Sequence, residues 1–136
     1  MWLIGVSNDA LAEPTKTVVV TLTAGATYEL APPLNGTVTI TDDDAQPTVT
    51  LSGGAAIAEN GGVATITATL SATSGLPVTV TLLYSGTATG GGTDYTPSAA
   101  SILIPAGSLT GNETITGVDD AINEGNETVL VDIDTV

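Results

Sequence analysis

From Val63 to Leu70 the chain reads Val-Ala-Thr-Ile-Thr-Ala-Thr-Leu, so Val63, Thr65, Thr67 and Thr69 share one side and Ile66, Ala68 and Leu70 line the other. Side chains of a strand alternate between faces, so this period of two specifies a strand with an apolar core side and a threonine side that can meet water. The same period recurs along the chain, broken by Gly, Pro, Asn and Ser at roughly the 8 to 12 residue spacing of a β-sandwich. It places strands near 15–24, 35–41, 48–52, 62–70, 77–84, 99–104, 113–118 and 127–134, and no segment reads as a helix. With three Tyr, one Trp and no Phe, the core must be aliphatic. The Val, Ile and Thr content that supplies it also favours strands.

An internal repeat groups these strands. A shift of 111 positions lays Asp9-Ala10-Leu11-Ala12-Glu13 on Asp120-Ala121-Ile122-Asn123-Glu124, and Thr17-Val18-Val19-Val20 on Thr128-Val129-Leu130-Val131. Residues 1–44 then read as the last two strands of one copy, and residues 45–136 as the next copy without its last strand.

Charge is gathered, not spread. Eleven of the 15 carboxylates fall into short groups, Asp9 with Glu13, Asp42-Asp43-Asp44, Glu59, Asp94, and Asp119-Asp120 with Glu124 and Glu127. Lys16 is the one basic residue and the formal charge is −14, which leaves these groups to repel one another or to attract a cation from solution. A hard ion such as Ca2+, which takes about 6 to 8 oxygen ligands, fits that chemistry. Nucleic acid and anionic membrane surfaces are excluded as partners, because both need clustered Lys and Arg. The absence of Cys and His removes thiol nucleophiles, zinc–thiolate sites and the commonest general base. Serines without a histidine, and carboxylates without an aromatic sugar platform, do not read as an enzyme. The apolar start, Met1 to Val6, lacks a basic flank and is too short for a secretory signal, and no apolar run approaches the roughly 18 residues of a membrane span.

Antiparallel order alone predicts where the carboxylates lie, since successive turns alternate between the two ends of a sandwich. Glu59, Asp94 and the Asp119–Glu127 loop fall at one end, and Asp42, Asp43 and Asp44 at the corresponding end of the earlier copy. The opposite turns, 71–76, 105–108 and 24–34, hold one carboxylate, Glu29. A turn preference of Asp would make both ends acidic, so the asymmetry favours a site. Asp132 and Asp134 alternate with Val131 and Ile133 and face solvent.

These segments resemble the Calx-beta domain, a repeat of sodium–calcium exchangers, integrin β4 and large bacterial surface proteins. The resemblance rests on Ala58-Glu59-Asn60-Gly61-Gly62, Gly92-Thr93-Asp94-Tyr95-Thr96-Pro97, Ile104-Pro105-Ala106-Gly107, Val118-Asp119-Asp120 through Glu124-Gly125-Asn126-Glu127-Thr128, and Val38 to Asp44. It implies an all-β, immunoglobulin-like antiparallel β-sandwich, with calcium ligands at Glu59, Asp94, Asp119, Asp120, Glu124 and Glu127. It implies the same role for Asp42, Asp43 and Asp44 in the first copy, with Asp9 and Glu13 as poorer candidates. Asn8 stands where the later copy has Asp119, and Lys16 where it has Glu127. Tyr95 is expected to pack beside the ligand loop.

The expectation is a non-enzymatic, calcium-binding structural or adhesive repeat of a large extracellular or cell-surface protein. A metal-free interaction or spacer module, and a calcium-sensing regulatory domain, are the alternatives. One more expectation concerns assembly. Residues 35–41 are a spare last strand, and the six residues 42–47 span at most about 20–22 Å, too short to carry it onto the second copy of its own chain. Exchange of this strand between two chains would give a closed homodimer and return Asp42–Asp44 to a complete acidic end.

Overall fold

The computed structural model describes residues 5–122 and 125–135, and every strand in it pairs antiparallel. In chain order these are β1 (Lys16–Thr21), β2 (Asn35–Ile40), β3 (Val49–Gly53), β4 (Val63–Leu70), β5 (Val78–Gly86), β6 (Tyr95–Pro97), β7 (Ser101–Ile104), β8 (Thr110–Gly117) and β9 (Val129–Thr135). The described residues contain no helix, and so none that could cross a membrane.

Two sheets form the sandwich, ordered β3-β4-β8-β6 and β7-β5-β9. Alternation decides what lies between them: Ile66, Ala68 and Leu70 of β4 are buried, as the period of two requires, and so are Val80 and Leu82 of β5, Ile102 and Ile104 of β7, and Ile115 of β8. Val80, Ile102 and Ile104 are fully buried, each contributing about 1.5–3 kcal/mol relative to exposure. Tyr95 is buried in this core at 6.2 Å from the Tyr84 ring.

The chain departs from the expected boundaries at the crossover between sheets. β6, unexpected because it is three residues ending in Pro97, pairs with β8; β7 follows four residues later and pairs with β5. Residues 98–100 therefore belong to neither ladder, and their backbone groups need partners. Glu113 supplies one of them, its buried carboxylate accepting from the Ala99 amide as well as from Ser98 Oγ at 2.8 Å, while the Ser98 amide donates to the Thr114 carbonyl at 2.9 Å and the Ala100 carbonyl accepts from the Leu82 amide at 3.0 Å. Tyr84 Oη donates to the Ala99 carbonyl at 3.1 Å, and burial, then Glu113 and Tyr95, push its pKa up.

Residues before Asp42 form a separate two-stranded sheet, β1-β2, with Val18 opposite Val38 and Lys16 opposite Ile40. β2 is paired with β1, not with β9. Among the described residues no sheet lies over the hairpin's apolar side, Val18, Val20, Val38 and Ile40, and Val20 and Val38 are 51% and 53% exposed. The preceding loop meets the turn after β4: Gly75 N–H donates to the Ala12 carbonyl at 3.0 Å, and Ala12 forms a parallel bridge with Ser74. A side chain at position 75 would lie 2.6 Å from Glu13 Cγ, so a larger residue there would push the Glu13 side chain aside.

Candidate metal centre

The structure sorts the carboxylates into two groups at opposite ends of β4. Asp42 and Asp44 line a cleft with Leu70, where β4 ends, whereas Glu59 precedes its start at Val63. Eight residues at about 3.3 Å each put more than 20 Å between the two ends.

In the first group the run of three aspartates follows directly from β2. Asp42, Asp43 and Asp44 each place a carboxylate oxygen within 4.8 Å of the others, the only such trio among the described residues. Oxygens held at 2.3–2.6 Å from one Ca2+ lie at most about 5 Å apart, so the trio matches the size of a calcium shell. Asp42 Oδ2 also accepts from the Glu13 amide at 2.8 Å, which ties the 9–13 loop to the end of β2. Asp9, Glu13, Asp42 and Asp43 thereby line one cavity of about 460 Å³ with Asn8 and Lys16. Asp9 holds its own loop as well, accepting the Leu11 amide at 3.0 Å.

Lys16, the one basic residue, pairs with a carboxylate of the first group. Its Nζ lies 2.5 Å from Glu13 Oε2, and this hydrogen bond pushes the lysine pKa up. The pair is exposed and salt-screened, and contributes little to stability. It does occupy one Glu13 oxygen, which leaves the aspartate run as the freer donor set. Asp44 is half-buried, and its carboxyl is held above the ordinary 3.8 by partial desolvation first, then by Asp42, Asp43, Asp9 and Glu13. Acidic neighbours that disfavour the charge on Asp44 are the electrostatic condition a bound cation would relieve.

The second group is built from loops converging on the end of β8. Gly117 is buried, and a side chain there would lie 2.5 Å from the Ala58 carbonyl and 3.1 Å from Glu59 Cα. Its lack of one lets the Glu59 loop close over the strand. Val118 N–H donates to the Asp94 carbonyl at 2.9 Å, which sets Asp119 beside the Asp94 loop. Glu59, Asp94 and Glu127 line a cavity of about 550 Å³. Asp94 Oδ2 accepts the Thr89 amide at 2.5 Å, and Asp120 Oδ1 accepts the Ile122 amide at 2.7 Å. Glu124 lies outside the described residues.

Asp9 with Leu11 and Asp120 with Ile122 form the same turn, 111 residues apart. Turn formation thus accounts for one oxygen on each, and a second oxygen remains to meet a ligand. Glu113 was the carboxylate that sequence reasoning passed over; it serves the sheet crossover and not a site.

Residues 42–136 match the family described as the Calx-beta domain. Comparison with curated proteins and with solved structures gives no match.

Proposed function

The chain belongs to the Calx-beta domain family, a family of non-catalytic modules, and from that premise we propose that it is a calcium-binding structural or adhesive repeat of a large extracellular or cell-surface protein. The observation that carries this reading is the Asp42-Asp43-Asp44 trio, whose oxygens lie within 4.8 Å of one another. Glu13 and Asp9 stand beside it as weaker ligands, and Glu59, Asp94, Asp119, Asp120, Glu124 and Glu127 form a second locus in the later copy. Residues 1–44 are the last two strands of one copy and residues 45–136 the next. The matching turns at Asp9 and Asp120 and the equivalence of β1 with β9 support that division. On this reading the partners are calcium ions and a second copy of the chain, reached by exchange of β2.

Extracellular calcium modules bind in the range of roughly 10⁻⁴ to 10⁻³ M. Calorimetric titration with calcium, and separately with magnesium, tests the reading: calcium should give a saturable signal in that range and raise the melting temperature. A melting temperature that is the same in chelator and in saturating calcium would favour a metal-free spacer, whose acidic loops keep it soluble.

A further inference from the structure

Resting on the division into two copies, and not on strand exchange, we infer that the turn 73–75 of the later copy is a docking seat for the loop 9–13 of the earlier one. The two copies meet there in a fixed joint that needs no cation.

Three features carry this. The contact is made by main chain: Gly75 N–H donates to the Ala12 carbonyl at 3.0 Å, Ala12 forms a parallel bridge with Ser74, and Thr73 Oγ1 reaches the Ala10 carbonyl at 3.5 Å. Backbone groups move only with the chain itself, so bonds between them fix orientation as well as proximity.

Both halves are also shaped by their own copy. On the seat, Ser74 is buried; its Oγ accepts the Leu76 amide at 3.1 Å, and its carbonyl accepts the Gly107 amide at 2.8 Å, which ties the seat to the turn between β7 and β8. On the loop, Asp9 Oδ1 accepts the Leu11 amide and Asp42 Oδ2 the Glu13 amide, so both ends of the segment are held by the earlier copy. The equivalent turn at Asp120 closes in the same way while its Ile122 is 65% exposed, so the shape of the loop does not depend on being covered. Leu11, whose loop is seated, is half-buried. Preformed surfaces lose little conformational freedom on docking.

The connection between the copies is short and stiff as well. Residues 41–48 are all that separates β2 from β3. Pro14, Pro47 and Pro77 stand around one cleft of about 530 Å³ between loop, connection and seat, and a proline ring fixes its φ. Such a joint holds consecutive copies at one angle, and makes the array a stiff stalk instead of a freely jointed string.

Hydrogen exchange on the full chain in chelator tests this, since every contact named lies between residues of the chain. The Gly75 and Glu13 amides should be protected relative to an unstructured peptide of the same sequence. Asp42→Ala removes the acceptor of the Glu13 amide and should speed Gly75 exchange by roughly fivefold to tenfold, the effect of one hydrogen bond, while the amides of β4 and β8 keep their rates. That linked loss marks a seated loop, because the bond Asp42 makes is to the loop and Gly75 belongs to the seat. Free exchange at Gly75 with the β1–β2 ladder protected would overturn the joint and leave the strands of the earlier copy standing. Free exchange at both would overturn the joint together with the reading of residues 1–44 as strands of a copy. A Gly75 rate unchanged by Asp42→Ala would show that loop and seat do not act as one unit, and would overturn the joint too.

Discussion

Val20 of β1 and Val131 of β9 occupy equivalent positions 111 residues apart, with Thr17-Val18 matched by Thr128-Val129 before them, yet Val20 is 51% exposed and Val131 packs half-buried against the core. The strand pattern is alike in both; the difference is the sheet β3-β4-β8-β6, which lies over β9 and has no counterpart over β1 among the described residues. Alternation therefore specifies which side of a strand is apolar, and burial waits on an opposing layer. A two-stranded sheet alone is marginal in water. The hairpin is held by its own ladder and by the contact of Ala12 with Ser74 and Gly75.

The sharpest way to break this comparison is to truncate one residue on each side of it. Ile104 is fully buried, and Ile104→Ala should destabilise the chain by about 2–5 kcal/mol, through lost burial and the cavity left behind. Val20→Ala should stay within about 0.5 kcal/mol, the usual size for a surface change. Denaturant unfolding of both variants checks it, and comparable losses would mean that the hairpin's apolar side is covered in solution.

The two acidic groups offer a second comparison, of intermediate size. The aspartate run after β2 is compact, whereas Glu59, Asp94 and Glu127 surround a wider cavity. Calcium at about 100 times its dissociation constant adds about 2.7 kcal/mol for one site. Asp42→Asn should remove most of the calcium-induced rise in melting temperature, and Asp120→Asn or Glu124→Gln a smaller part. Glu29→Gln and Asp132→Asn delete the same charge elsewhere and should leave the rise intact. If all five variants lost it equally, the charge would be acting diffusely and neither group would be a site.

The fold was legible where a single period decides the outcome. β4 follows its alternation residue by residue, and the exposed Asp132 and Asp134 alternate with the half-buried Val131 and Ile133 as expected. It was illegible where tertiary need overrides pattern. Tyr95-Thr96-Pro97 is too short and too proline-marked to announce a strand, and becomes one because β8 offers an edge. Glu113 reads as a surface residue in a threonine-rich strand; only the sheet crossover at 98–100 explains its burial. The positions of the candidate ligands could be read because loops alternate between ends. Their grouping could not, because how closely Asp42, Asp43 and Asp44 approach one another depends on the backbone turn after β2.

The smallest effect separates the two groups by the electrostatics of one residue. Asp44 has its folded-state pKa raised above 3.8, by partial desolvation and by its acidic neighbours, so the folded chain holds that proton more tightly than the unfolded chain does. By linkage, calcium-free stability falls as pH rises through the interval between the two values, and the deficit persists at neutral pH. Below the unfolded value the group is protonated in both states and contributes nothing. Asp44→Asn removes the deficit, so in chelator the variant should melt slightly above the wild type at neutral pH, with the gap closing as the solution is acidified. In calcium the order should reverse, because a cation favours the charged carboxylate and the amide has lost that ligand strength. Melting curves from acid to neutral pH, with chelator and with calcium, read both signs from one pair of proteins. A variant that melts below the wild type in chelator would show that Asp44 is stabilised by its surroundings, and that the run after β2 is not an electrostatically strained group waiting for a cation.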